Sequence, residues 1–215
     1  MSILSNYVPE CLVKAEVSCD LSEIDQTNGL SGKEYTDKFI QAINIAKTQT
    51  NRAVTHNKGI MNGVDAVVIA TGNDFRAIEA GVHAYAAKTG IYKSLTDACV
   101  ENNTFKFWIE IPLALGTVGG ITNLHPLVKW SLELLNNPDA KELMKIVAVA
   151  GLAQNFGALD SLITTGIQKG HMKMHLINIL NSLNASENEK NKLITFFKTN
   201  TVSYSAVKKE LEKLR

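Results

Sequence analysis

The sequence is short of the features that mark specialised classes of protein. Its charges nearly cancel, with 22 Lys and Arg against 21 Asp and Glu, and it has no polybasic tract. Neither a nucleic acid nor an anionic membrane surface is therefore an expected partner. Cysteines are few and odd in number: Cys11, Cys19 and Cys99 have no CxxC or metal-ligand spacing, which fits reduced thiols in a cytosol. No uninterrupted apolar run approaches the roughly 20 residues of a membrane span. The opening MSILSNYVPE lacks a basic region leading into an apolar core, so no signal peptide is expected. With 45% apolar residues in 215, the expectation is a cytoplasmic, soluble globular protein with one sizeable core and a small appendage.

Periodicity divides what is there. Cys11 to Cys19 alternates as a strand, and Leu21 to Gly32 is a polar connection. Ser31-x-x-Glu34 reads as a capping box opening a helix to about Thr48, with Tyr35, Phe39, Ala42, Ile43 and Ala46 on its apolar face. A second helix, capped by Asn73 or Asp74, spans about Phe75 to Lys88 and stops at Thr89-Gly90; Ala77, Ala80, Ala84 and Ala87 along it argue for close helix packing. FKFWIEI, from Phe105 to Ile111, is a strand by composition. Pro126 starts a helix through Leu135, and Asp139-x-x-Glu142 opens another toward Leu152. One or two helices cover 154–180, punctuated at Gly166 and Gly170, and two more begin at Ser186 and at Ser203 or Ser205. The class is α+β, mostly helical with a few strands, divided into a main domain (1–164) and a helical appendage (165–215).

Residues 52–76, RAVTHNKGIMNGVDAVVIATGNDFR, organise the rest. A polar head containing Arg52, His56, Asn57, Lys58 and Asn62 leads into apolar residues on all sides of a helix, which predicts a fully buried central helix. Lys58 is either a surface lysine or a fixed cation facing a cleft, and Asp74 is ordinarily a helix N-cap. His171 and His175 stand four apart on an expected helix; no Glu adjoins His171 and no third ligand is evident, so no metal is expected. His56, His83 and His125 read as hydrogen-bonded structural residues. GTVGG, Gly116 to Gly120, lacks the spacing of a phosphate loop and reads as a tight structural turn.

THNKGIMNG, ATGND-x-R-A-x-EAG-x-HAYA, IEIPLALGTVGG, GLAQN and GIQ-x-GHM-x-x-H occur in one order. Together they closely resemble the class II hydroxymethylglutaryl-CoA (HMG-CoA) reductases, from Ile3-Leu4-Ser5-Asn6 to about Asn178. The resemblance implies reduction of the HMG-CoA thioester to mevalonate by two NADH or NADPH, with release of coenzyme A. It places Lys58 on the family's catalytic lysine, Asp74 on its aspartate and His171 on the acid that protonates the coenzyme A thiolate. An ammonium suits the carbonyl oxygen on which charge builds, and an imidazole suits a proton transfer near neutral pH. Arg52 and Asn62 match positions that grip the hydroxymethylglutaryl group. Gln154 and Leu162 match positions lining the same pocket, and Asn6 of ILSN is a weaker candidate beside the cofactor.

The resemblance also implies what this chain does not contain. The family's chain is about twice as long; its first half carries a catalytic glutamate and a small cofactor domain with an Asp-Ala-Met-Gly-Ala-Asn segment, and neither motif occurs here. Just before Arg52 the family's acidic residue, proline and tyrosine are replaced by Gln49-Thr50-Asn51. The expectation is a partial reductase, dimeric or completed by an N-terminal chain, and inactive alone; the alternatives are an inactive remnant and an unrelated acyl-CoA-binding module. A continuous helix over 59–71 would hold Lys58 and Asp74 roughly 20 Å apart. A second, antiparallel copy could then bring them together across a two-fold axis.

Overall fold

The computed structural model describes residues 1–24, 29–164 and 166–215, with the side chains of 123 and 167–173 outside the description. Two compact units divide the chain, Met1–Ile163 and Thr164–Arg215. The fold is α+β.

In the first unit, strand β1 (Leu12–Asp20) leads through a short 3-10 turn to helix α1 (Gly32–Thr48), whose capping box pairs Ser31 with Glu34 as the sequence predicts. Helices α2 (Thr50–Ala70) and α3 (Phe75–Ala86) follow, then strands β2 (Thr96–Glu101) and β3 (Thr104–Pro112), helix α4 (Pro126–Leu134) and helix α5 (Ala140–Ile163). The sheet is antiparallel in the order β1-β3-β2. Phe105, Phe107, Ile109 and Ile111 alternate onto its buried face, and Phe39 of α1 meets Phe105 and Phe107 edge-on at 5.4 and 5.0 Å. Edge-to-face rings add modestly to the burial of their area.

Several expectations need correction. β2 is a strand that periodicity did not reveal, because TDACVE offers only the short apolar stretch Ala98-Cys99-Val100. Its hairpin turns on Asn102 and Asn103, both at positive φ (49° and 67°), as a two-residue hairpin loop requires. The helix expected to stop near Leu152 continues to Ile163, since GLAQNFGALD holds a buried face at Gly151, Leu152, Asn155 and Leu159. Helix α6 (Ile167–Ser182) runs through Gly170 without a break. The outward positions of α3 include Ala80 and Ala84, which are exposed, while Ile78, Gly81, Val82, Tyr85 and Ala86 pack inward.

The largest correction concerns α2. It begins at Thr50, so the polar head is itself helical, and it is not fully buried. Ala53, His56, Asn57, Ile60, Met61, Val64 and Val68 face the core. Val54, Thr55, Lys58, Asn62, Ala66 and Ile69 recur at three- and four-residue spacing along an exposed stripe.

α2 crosses α5 closely. As residue numbers rise along α2 from His56 to Val64, they fall along α5 from Asn155 to Gly151, so the pair is antiparallel. A methyl group at Gly63 would lie 2.4 Å from the Ala150 carbonyl oxygen, so only glycine fits this crossing. Among the described residues α5 is the one helix long and apolar enough to cross a membrane, with a best window of mean hydropathy 1.5. Here its buried face packs on α2 and the sheet, as a core helix does.

The second unit comprises α6, α7 (Glu187–Phe196) and α8 (Tyr204–Leu214). It has its own core of Leu176, Ile179, Leu180, Leu193, Phe197, Val207 and Leu211. Ser186 and Glu189 form a second capping box, and Arg215 donates to Glu189, holding that carboxyl down at about 2.

Candidate active site on helix α2

The register of α2 is locked from its inner side. Asn57 Nδ2 donates to the Lys93 carbonyl (2.8 Å), and the Leu95 N–H donates to Asn57 Oδ1 (3.1 Å). His56 Nε2 lies 2.7 Å from Thr96 Oγ1 and 2.9 Å from Ser94 Oγ. Thr96 Oγ1 donates to Asn155 Oδ1 and Ser94 Oγ donates to the Thr96 carbonyl, so both hydroxyl hydrogens are committed and Nε2 must be the donor. Nδ1 is buried without a partner, which leaves no acceptor for the second proton of an imidazolium. Burial, reinforced by the nearby Arg52 guanidinium, accordingly lowers the His56 pKa to about 4.

These bonds fix the turn that carries Lys58 outward. Lys58 is exposed and has no hydrogen-bond or ion-pair partner among the described residues. Asn62, one turn on, is also exposed, and Gln154 of α5 sits beside it, its Cβ close against Gly63. Arg52, half-buried, precedes His56 by one turn. Lys58, Asn62 and Gln154 thus share one open neighbourhood at the α2–α5 crossing. Leu162 lies two turns further along α5, 40% exposed.

Asp74 is not part of that neighbourhood. α2 is unbroken between Lys58 and Ala70, a rise of about 18 Å. Asp74 then caps α3, accepting from the Arg76 and Ala77 N–H groups at 3.1 and 3.2 Å. The turn before it is built with care: Gly72 has φ 70° and lies under Ile121 and Val128, while Asn73 Oδ1 accepts from the Gly116 N–H at 2.8 Å. The glycine-rich loop therefore serves to hold the Asn73-Asp74 turn. Asn6 lies against Gly81 of α3 in a hollow of about 230 Å³ with Ser5, Val8, Ala77, Ile78 and Pro112. The His171 side chain lies outside the described residues, and His175 is exposed on α6. Among the described residues no three His, Cys, Asp or Glu side chains form a metal-holding group.

A polar chain beneath the site was not anticipated. Asp65 and Glu79 face each other between α2 and α3; Glu79 pairs with His83 Nε2 at 2.5 Å, and His83 Nδ1 meets the Tyr92 hydroxyl at 2.7 Å. Burial, with the adjacent Glu79 carboxylate, pushes the Asp65 carboxyl up to about 7. One Asp within the apolar run Val64–Ala70 was the available signal. His83 is hydrogen-bonded as expected.

An α+β unit organised on a glycine-crossed helix pair, with an unpartnered lysine on its open face, is the frame in which the comparisons fall. The hydroxymethylglutaryl-coenzyme A reductase family profile matches residues 1–176. This chain belongs to that family. The 3-hydroxy-3-methylglutaryl-coenzyme A reductase of Archaeoglobus fulgidus is 41% identical over all of this chain and 48% of its own length. A probable reductase of Borreliella burgdorferi is 38% identical, again over all of this chain and 51% of its own. Among solved structures, a Streptococcus pneumoniae reductase superposes with TM-score 0.73 at 39% identity, over 99% of this chain and 51% of that one. A class II reductase of the same organism, bound to NADPH in open conformations, superposes at 0.71. The chain thus spans about half the length of the relatives it matches.

Proposed function

We propose that this chain supplies the substrate-facing half of a cytoplasmic HMG-CoA reductase, which converts HMG-CoA and two reduced nicotinamides to mevalonate and free coenzyme A. The observation that carries the proposal is Lys58, exposed and unpartnered beside Asn62 and Gln154, in a family whose members are named for this reaction. Its ammonium stabilises the negative charge that grows on the carbonyl oxygen as the thioester, and then the aldehyde, is reduced. Arg52 and Asn62 hold the hydroxymethylglutaryl group, a guanidinium pairing with its carboxylate in bidentate fashion. Gln154 and Leu162 line the pocket, and His171 returns a proton to the departing thiolate.

The described residues offer no dinucleotide cradle. The 116–120 loop commits its Gly116 N–H to Asn73, and Asn6 faces α3. NADH or NADPH, which supplies hydride when bound, is therefore held by the remainder of the reductase. Asp74 reaches Lys58 from a second copy. The residue midway between 58 and 74 is Ala66, exposed and small, with Ala70 exposed nearby, so an antiparallel α2 can approach there closely. Such a pairing sets each Lys58 against the partner's Asp74 turn.

The half-length match favours one other reading, a remnant that folds but catalyses nothing. Purified alone, the chain is expected to consume no NADPH with HMG-CoA, because nothing positions the hydride donor. Co-expressed with the other half of the reductase chain it should turn over, and Lys58→Ala should abolish that turnover. A well-folded reconstituted complex without turnover would favour the remnant.

A further inference from the structure

We propose that the outer face of α4 is the docking surface for the half of the reductase chain that this one does not contain, an inference that rests on the family reading but not on catalysis. α4 has two apolar sides. Val128 and Leu132 are buried, with Val128 lying over Gly72 at the end of α2. Leu127, Trp130 and Leu134 recur at three and four residues on the opposite side and are 67, 59 and 67% exposed, with Leu124 just before them at 82%. Val118 and Ile121 of the preceding loop are exposed as well. Lys129 and Glu133 lie on the flank between the two faces. An apolar stripe of this kind on a surface helix is the pattern of a helix sandwiched between two packed layers, only one of which is present here. Contiguous exposed apolar patches beyond a few hundred Å² are rare on isolated monomers.

The occupant follows from two observations. The relatives are single chains of which this one makes up about half, so the other half must bury apolar surface somewhere on this unit. A second copy pairing through α2 at Ala66 does not reach the stripe, because α4 turns Val128 and Leu132 toward the end of α2 and the stripe away from it. The Lys58 face is polar and committed to substrate; the α4 face is left for the missing half.

The test is hydrogen exchange over residues 118–135, with Trp130 emission read in a Trp108→Phe background. It is run on the full 215-residue chain alone and co-expressed with the remaining half of the Archaeoglobus fulgidus relative. The expected result is rapid exchange in the chain alone, at least about tenfold slowing in the complex and a blue shift of Trp130. Leu127→Glu with Leu134→Glu should abolish both changes while leaving the melting temperature of the chain alone unmoved. Four results would overturn the proposal: no complex; a complex whose 118–135 segment still exchanges freely; protection already present in the chain alone, whether as monomer or dimer; or loss of fold in the double variant. Protection without HMG-CoA-dependent turnover supports the surface and fails the functional reading. Turnover with α4 still open does the reverse.

Discussion

On α2 the open face carries Lys58, Asn62 and Ala66, whereas on α4 it carries Leu127, Trp130 and Leu134. Both helices use their other face for the core, but the two inner faces are built differently. Beneath Lys58, His56 and Asn57 are tied by hydrogen bonds to the segment entering β2, so the cation stands on a fixed turn. Beneath Trp130 there is only apolar packing. A polar open face on a rigid, hydrogen-bonded base suits chemistry, in which misplacement by an ångström is costly. An apolar open face on an adaptable base suits association, in which area counts more than angle.

The largest expected effect separates the two faces through activity. In the completed enzyme, Lys58→Ala should lower kcat/KM by at least about 10²- to 10³-fold, the scale of losing a charge-stabilising donor. Steady-state rates and a melting curve on the same preparation check it, and an unchanged melting temperature is required because Lys58 makes no contact in the folded chain. Removing the base beneath the lysine should act on stability instead. Asn57→Ala strands the Leu95 N–H and the Lys93 carbonyl, at a cost of about 1–3 kcal/mol for each buried group left unpaired. Gly63→Ala should cost a comparable amount, because the Ala150 carbonyl must move aside. Denaturant midpoints read both.

The pH dependence of unfolding sharpens the contrast further. His56 has its pKa lowered from 6.5 to about 4, so its contribution is complete above pH 6.5 and is lost as pH falls toward 4, by roughly 3 kcal/mol at 1.36 kcal/mol per unit. Asp65 runs the other way. Raised from 3.8 to about 7, it keeps a proton that the unfolded chain releases, so stability is greatest below pH 3.8 and declines as pH rises toward 7. Denaturant titrations from pH 4 to 8 should lose the acid-side slope in His56→Gln and the opposing slope in Asp65→Asn. The smallest effect belongs to α4: Leu127→Glu should change the stability of the chain alone by no more than about 0.5 kcal/mol, because the residue is 67% exposed.

Helix α1 was legible to the residue because a capping box and an apolar stripe agree in local sequence. Lys58 and Asp74 could be singled out because the family motifs around them are long and ordered. β2 was not legible, since its pairing with β3 is a long-range fact and TDACVE alone has too little apolar alternation. The open face of α2 was misjudged for a related reason. Val54, Ala66 and Ile69 are apolar yet exposed in one chain, and composition cannot tell burial in a core from burial against another copy. The Asp65–Glu79–His83 chain was hidden because its members meet across two helices.

The measurement closest to the central claim mixes two defective chains. Lys58→Ala and Asp74→Asn are each expected to be inactive when completed with the other half of the reductase. If each site takes its lysine from one copy and its aspartate from the other, mixing equal amounts should restore about a quarter of the unmodified rate, since half of random dimers are mixed and each has one intact site. No recovery, in a mixture shown by mass to contain mixed dimers, would contradict the account and place Lys58 and Asp74 of a single chain in the same site.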